Sequence, residues 1–574
     1  MYCDTVCLGS NSVNEVDIYK ILRGCVDTVA CLIEQDKQYW NYANICFFVY
    51  IGTVVPLTYK YFRQANVNSQ FVWDELAGSM SIVGVMICFE IIIKNLSHSK
   101  IASCIISLVN ILVILPDTIF FVYSAATGDV IDVNALIAVY QTNINESIEF
   151  FRSYIDSFSI ILLLGLLAFS AVVIMYANNN TNIDKFFGRN MLVNVVNVFA
   201  FIAYMGLAYK TLNYGYFGKI SVESKQYLES VRNFNKLRYN SDGTKKAIKE
   251  VICGLKEGTY VVIIGESQNR RHMQAYGYER ETTPWLYSHL HDNNFIFMTN
   301  GYSCHTLTMM CLSKALTQSS QYNGIEFHDA YSLVDIAGAA GVRTYWISNQ
   351  SQYGAYSTPV TAIAGLSDKQ EWINSDSTAA NIFDEVILDK LEVIPKSGKN
   401  IVFIHLVGNH WEYKNRYPSE YSKFSDSKDS NIEEVADVEK LNEYDNSILY
   451  NDYVVSKIFD YAKSNWNVMN ITYFSDHGEA VVSDKKHTPG RFEQDMATIP
   501  VYFYFSDKYF EVYPRENLFI KKDAYFTNDM IYDTLIGIWG INTSYYDSRQ
   551  DIFSSDYGYK KSDLKILDKS DMIQ

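Results

Sequence analysis

Hydrophobic positions along the chain fall into two regimes that meet near Gly258. Before it they run together in long blocks; beyond it they form short runs separated by helix-length polar segments. Five blocks stand out: Ala43 to Tyr59, Ser79 to Ile93, Ile101 to Ala126, Phe158 to Ala177 and Met191 to Tyr209. Several approach the roughly 20 apolar residues that a bilayer-spanning helix needs. The pattern predicts a polar cytoplasmic segment over 1–42, a transmembrane domain of about five helices over 43–210, and surface helices over 211–257 that link it to a second domain. The second block is the shortest and carries Glu90, which a bundle interior or a wet pocket would accommodate.

Five spans put the two ends of this domain on opposite sides of the membrane. The short loops around Lys94 to Lys100 and Lys185 to Arg189 are basic, whereas the loop from Thr127 to Ser157 holds one arginine among several acids. The positive-inside rule then sets the amino terminus in the cytoplasm and everything after Tyr209 outside, with Lys60 and Arg63 running against that assignment. The polar first 42 residues lack the basic start and short apolar core of a cleavable signal. Asp117, beside Pro116 within the third block, is either a functional intramembrane carboxylate or a cap for backbone groups freed by the proline.

From 258 to 574 the short runs are rich in β-branched residues and alternate with helical lengths, which predicts an α/β domain around a largely parallel sheet. Four runs end alike. Tyr260 to Ile264 leads into Gly265-Glu266-Ser267, Thr344 to Ile347 into Ser348-Asn349-Gln350, Ile401 to Ile404 into His405 and then Gly408-Asn409-His410, and Ile471 to Phe474 into Ser475-Asp476-His477-Gly478-Glu479. Sites in open α/β sheets lie beyond the carboxyl ends of the strands, so separate stretches of chain deliver polar groups to one rim.

Composition narrows the chemistry. The net charge of -16 and a pI near 5.1 exclude a phosphate-backbone partner, which would need clustered Lys and Arg. Seven of the ten cysteines lie at or before Cys104, in or near apolar blocks where they act as small hydrophobes. Of the other three, Cys304 and Cys311 are spaced to close a small disulfide loop in an oxidising compartment, which would leave Cys253 a free thiol. Glu266, Asp476, His477, His410 and His487 form a mixed carboxylate and imidazole set that suits zinc better than calcium or magnesium. Singly, each reads more readily as a hydrogen-bonded strand-end residue than as a ligand; together, with Asp-His adjacent and followed by Gly, they point to a metal. A nucleophile is still needed. The hydroxyl-rich run from Gly301 to Cys311 offers Thr308, whose oxygen a zinc ion would acidify. The competing explanation is that its Ser and Thr residues cap a helix beginning near Leu312.

These residues resemble a known family. Val261 to Ser267, Arg271-His272 and Tyr276-Gly277-Tyr278-Glu279-Arg280-Glu281-Thr282-Thr283-Pro284 look like the opening motif of the bacterial phosphoethanolamine transferases of the sulfatase and alkaline-phosphatase superfamily. Phe474 to Glu479 resembles the second signature, and His405 to His410 followed by Arg416-Tyr417-Pro418 a third. The resemblance implies an alkaline-phosphatase-like mixed sheet sandwiched by helices, in the periplasm, on an inner-membrane anchor. It implies zinc held by Glu266, Asp476, His477 and the nucleophile Thr308, the threonine four residues after a cysteine. His410 and His487 then stand where relatives hold a second metal or the substrate phosphate, with His405 nearby. By resemblance, phosphatidylethanolamine gives its head group to Thr308, and a covalent phosphothreonine passes it to a lipopolysaccharide acceptor, core heptose before lipid A phosphate. A monomer is expected.

The sequence also departs from the family. Cys304 and Cys311 stand closer together than the pair in lipid A-modifying members, and further cysteine pairs are missing. The runs Trp346 to Gln350 and Tyr444 to Asp452 look more like the branch acting on lipopolysaccharide core sugars. A sulfatase would require a Cys-x-Pro-x-Arg pattern, which follows neither Cys304 nor Cys311. A phosphoglycerol-type transferase keeps the anchor and the threonine with another donor. A non-catalytic membrane scaffold would not need Thr308 and Asp476.

Overall fold

The computed structural model describes chiefly residues 100–127, 157–178, 216–238, 248–350, 358–374, 382–425, 437–481, 492–513 and 520–570, with single residues elsewhere. They divide into two compact units, Met1–Asp132 with Ser153–Glu223, and Val133–Arg152 with Ser224–Gln574.

In the first unit, α1 (Lys100–Thr127) and α2 (Ser157–Asn178) coincide within a residue with the third and fourth predicted blocks. Stretches of both, Cys104–Thr127 and Ser157–Ile174, are long and apolar enough to cross a membrane. The other three blocks lie largely outside the described residues. Large apolar side chains such as Leu108, Leu112, Ile161 and Leu164 face outward, as a lipid-facing surface requires, while Phe48, Met86, Ile114 and Ile174 pack together inside. Asp117 is buried, and one residue on, the Thr118 hydroxyl donates to the Ile114 carbonyl at 2.9 Å in the turn around Pro116. Helix α3 (Tyr216–Arg238) follows the anchor region.

The second unit is built on seven strands: β1 (Gly258–Gly265), β2 (Phe295–Met298), β3 (Arg343–Ser348), β4 (Lys369–Trp372), β5 (Lys399–His405), β6 (Val468–Ser475) and β7 (Val501–Phe505). Their order is β2-β7-β6-β1-β5-β3-β4. β6, β1, β5, β3 and β4 run parallel; β7 and β2 are antiparallel to their neighbours. The sheet is therefore mixed, with a parallel centre. All eight residues of β1 are buried, as a central strand covered on both faces demands. Its side chains alternate. Tyr260, Val262 and Ile264 join a core with α4 (Thr308–Ala315) and α6 (Ile531–Trp539), whereas Val261 and Ile263 join one with α5 (Val438–Asn465). Because β1, β5 and β6 are parallel neighbours, their carboxyl ends bring Glu266, His405 and Asp476 to the same edge.

Candidate metal and catalytic centre

Glu266 leaves the end of β1, Asp476 and His477 leave the end of β6, and all three are buried. One ligand atom from each lies within 4.8 Å of the others. Backbone geometry makes the convergence possible. Gly408, at φ +56°, lies so close to β1 that a Cβ there would fall 2.9 Å from the Glu266 amide nitrogen. The Asn409 amide can then donate to the Glu266 carbonyl at 3.0 Å, tying the exit of β5 to that of β1.

The carboxylates and the imidazole are prepared differently on their two sides. Asp476 Oδ1 accepts from the amides of Ser267 at 3.0 Å and His477 at 2.7 Å, while its buried Oδ2 accepts no hydrogen bond. Burial, then the charge of Glu266, raise the Asp476 pKa to about 6. His477 Nδ1 lies 2.8 Å from the Gly478 carbonyl, which can only accept, so Nδ1 holds the proton and Nε2 turns to Glu266 Oε1 and Asp476 Oδ2, each at 3.4 Å. Burial works against a charged His477, yet the two carboxylates push its pKa well above the ordinary histidine value. An orphaned carboxylate oxygen facing an oriented imidazole nitrogen is a donor set that fits zinc, with the histidine's other nitrogen fixed by a carbonyl.

Thr308 completes the cluster. Its hydroxyl donates to Glu266 Oε1 and Oε2 at 3.2 and 3.3 Å, and stands 3.4 Å from His477 Nε2. Helix α4 begins at Thr308 itself, four residues before the start expected near Leu312. Its N-cap is Leu307, with no side-chain cap. The hydroxyl of Thr308 is thus directed into the cluster, and the capping explanation of this run does not hold there.

His405 is fully buried, neither ring nitrogen has a hydrogen-bond partner, and burial lowers its pKa to about 4 against the pull of Asp476. His410 is half-buried and is not part of the three-residue cluster. His487 lies outside the described residues. The expected Cys304–Cys311 bridge is corrected: both are buried free thiols, and Cys311 Sγ instead donates to the His305 carbonyl at 3.0 Å. Cys253 is a free thiol as well, so none of the three is left over from a bridge. Two residues that the sequence offered only as strand-end neighbours also reach the centre. Ser267 Oγ donates to Glu266 Oε1 at 2.9 Å, and Gln350 Nε2 lies 3.4 Å from Glu266 Oε2 while donating to the Leu406 carbonyl at 2.9 Å. Their position directly after β1 and β3 was the signal available.

Comparison with known proteins agrees with this geometry. The family described as Sulfatase matches residues 258–541. The chain is 28% identical over 436 residues to the phosphoethanolamine transferase EptC of Escherichia coli O18:K1:H7 (strain RS218 / NMEC), covering 69% of this chain and 73% of that protein. Among solved structures, the C-terminal periplasmic domain of EptC from Escherichia coli in complex with zinc is 30% identical, covers 56% of this chain and 94% of its own, and superposes with a TM-score of 0.50. The integral membrane lipooligosaccharide phosphoethanolamine transferase A of Neisseria meningitidis shares the fold over 89% of this chain and 98% of its own, with a TM-score of 0.60 at 19% identity.

Proposed function

The chain belongs to the phosphoethanolamine transferases of the sulfatase family, and from that premise we propose that it moves phosphoethanolamine from phosphatidylethanolamine to a lipopolysaccharide acceptor through a covalent phosphothreonine on Thr308. The observation that carries this is the Thr308 hydroxyl, 3.2 to 3.4 Å from Glu266 and His477 in a buried triad of metal-ligand type.

In this reading Glu266, Asp476, His477 and the Thr308 oxygen hold one zinc ion. Zinc, when bound, supplies the positive charge that acidifies the threonine hydroxyl and offsets the negative charge spread over the phosphoryl oxygens. Thr308 loses its proton to the surrounding acceptors and attacks phosphorus. The Oγ–P bond forms, the bond from phosphorus to the glycerol oxygen breaks, and diacylglycerol leaves after its oxygen regains a proton. An acceptor hydroxyl then attacks the same phosphorus, the new O–P bond forms as the Oγ–P bond breaks, and the acceptor's proton returns the Thr308 oxygen to a hydroxyl. Oriented imidazole and backbone groups keep the nucleophile in line, which is where positioning contributes most to phosphoryl transfer. His410 and His487 are assigned to the substrate phosphate or a second metal, and His405 to the interior of the centre beside Asp476.

A bilayer donor accounts for an anchor over 43–210, and the linker over 211–257 would carry the catalytic domain, 258–574, on the periplasmic side of an inner membrane. The acceptor is assigned to core heptose before lipid A on the runs Trp346 to Gln350 and Tyr444 to Asp452. The test is incubation of the detergent-solubilised chain with phosphatidylethanolamine, followed by mass spectrometry. A phosphoethanolamine adduct is expected on the peptide containing Thr308, with none in Thr308→Ala and transfer abolished there. An unmodified peptide during active turnover would exclude the covalent route.

A further inference from the structure

Ser267 follows Glu266 in a left-handed backbone conformation, φ +54°, that residues with a Cβ seldom adopt. It is buried, and each of its polar groups has a defined task. Its hydroxyl donates to Glu266 Oε1 at 2.9 Å and its amide donates to Asp476 Oδ1 at 3.0 Å. Its carbonyl accepts from the Tyr444 hydroxyl at 2.7 Å, and that same hydroxyl accepts from the Asn269 amide at 2.9 Å. The next amide, of Gln268, donates to Ser475 Oγ at 2.9 Å.

The backbone turn thus faces one carboxylate with its amide while the side chain faces the other. With the amide held on Asp476, extended or right-handed backbone at this position would turn the side chain to another direction, so the unusual φ is tied to reaching both carboxylates at once. Tyr444, in the run that the sequence singled out without a role, locks the turn from α5. With Asp476 Oδ1 occupied by two amides, Oδ2 stays open, and with Oε1 of Glu266 held by a hydroxyl the carboxylate cannot swing about its last bond.

We propose that Ser267 is a positioning residue whose hydroxyl and amide together fix both carboxylate ligands for the metal. This rests on the assignment of Glu266, Asp476 and His477 as the zinc site. Hydrogen-bonding partners of metal ligands commonly govern metal affinity by roughly 10–100-fold.

The full-length chain in detergent tests this with two variants, Ser267→Ala and Ser267→Gly, titrated against a zinc chelator and melted without metal. Both lose the hydroxyl, but glycine alone relieves the left-handed strain. A positioning role predicts that both bind zinc roughly 10–100-fold more weakly, with kcat reduced, while the metal-free melting temperature of Ser267→Gly equals or exceeds that of wild type. If Ser267→Gly retains wild-type zinc affinity and kcat, the residue serves the backbone only and the inference fails by itself. A wild-type chain that binds no zinc, indistinguishable from Asp476→Ala, would instead overturn the assignment of the centre and this inference with it.

Discussion

The two oxygens of Asp476 carry different loads, and a neutral isostere separates them. In Asp476→Asn the side-chain carbonyl could still accept from the Ser267 and His477 amides, but an uncharged amide group would stand where the orphaned Oδ2 now lies. Asp476→Asn is therefore expected to keep the melting temperature of the metal-free chain while its zinc content, read by elemental analysis, falls well below one ion per chain; normal stoichiometry would remove Asp476 from the ligand set. A second carboxylate, outside the three-residue cluster, sets a pH dependence. Asp533 is buried near Asp547, Asp551 and Asp529, and burial first of all raises its pKa to about 8. The folded chain thus keeps a proton that the unfolded chain has released above its ordinary carboxylate value, so stability falls as pH rises from about 4 through about 8. Asp533→Asn keeps an acceptor for the Asp547 amide, 2.8 Å away, and carries no charge. Its melting temperature should hold up better than that of wild type between pH 6 and pH 8.5, by a few degrees, given about 2–4 °C per kcal/mol for 150–250 residues and somewhat less for a larger domain. Parallel decline of the two curves would exclude Asp533 as the titrating group.

At the scale of elements, strand ends explain both what was legible and what was not. Glu266, Asp476 and His477 each follow closely on an apolar run of strand length that is buried throughout, as a parallel strand covered on both faces is, so their shared edge follows from strand type alone. The start of α4 was not legible. A helix whose N-cap is Leu307 lacks the hydroxyl or carboxylate that normally marks an entry, and the local Ser and Thr residues misdirect the assignment toward Leu312. Nor could spacing decide the Cys304–Cys311 pair, because a thiol beside a carbonyl satisfies itself by donating, as Cys311 does to His305. The loop after β5 draws the eye to its histidines, whereas its structural demand lies at Gly408, where backbone meets backbone. Gly408→Ala should cost at least about 1–3 kcal/mol for the left-handed φ alone, and displacement of Glu266 should lower zinc affinity as well. A variant with unchanged melting temperature and zinc affinity would mean that this approach of β5 to β1 does not hold the centre together.

For the molecule as a whole, the division into units bears on how the proposed transfer from a lipid donor would be served. The unit containing Ser224–Gln574 has its own two-faced core around a central sheet, and among the described residues its cores draw on no apolar residue before Phe234. The apolar exterior of α1 and α2, by contrast, has the length and composition of a membrane-crossing surface. If the anchor serves to hold the centre at the bilayer, its removal should separate chemistry from access. A chain starting at Ser224 is expected to fold with one cooperative transition, bind zinc as the full chain does, and form the Thr308 adduct with a short-chain, water-soluble phosphatidylethanolamine. Its rate with phosphatidylethanolamine in vesicles should fall by a large factor, because the local concentration of donor that the anchor provides is lost. Equal rates on vesicles would show that the first unit does not deliver the substrate. Loss of zinc binding in the truncated chain would instead mean that the centre depends on the anchor for its shape.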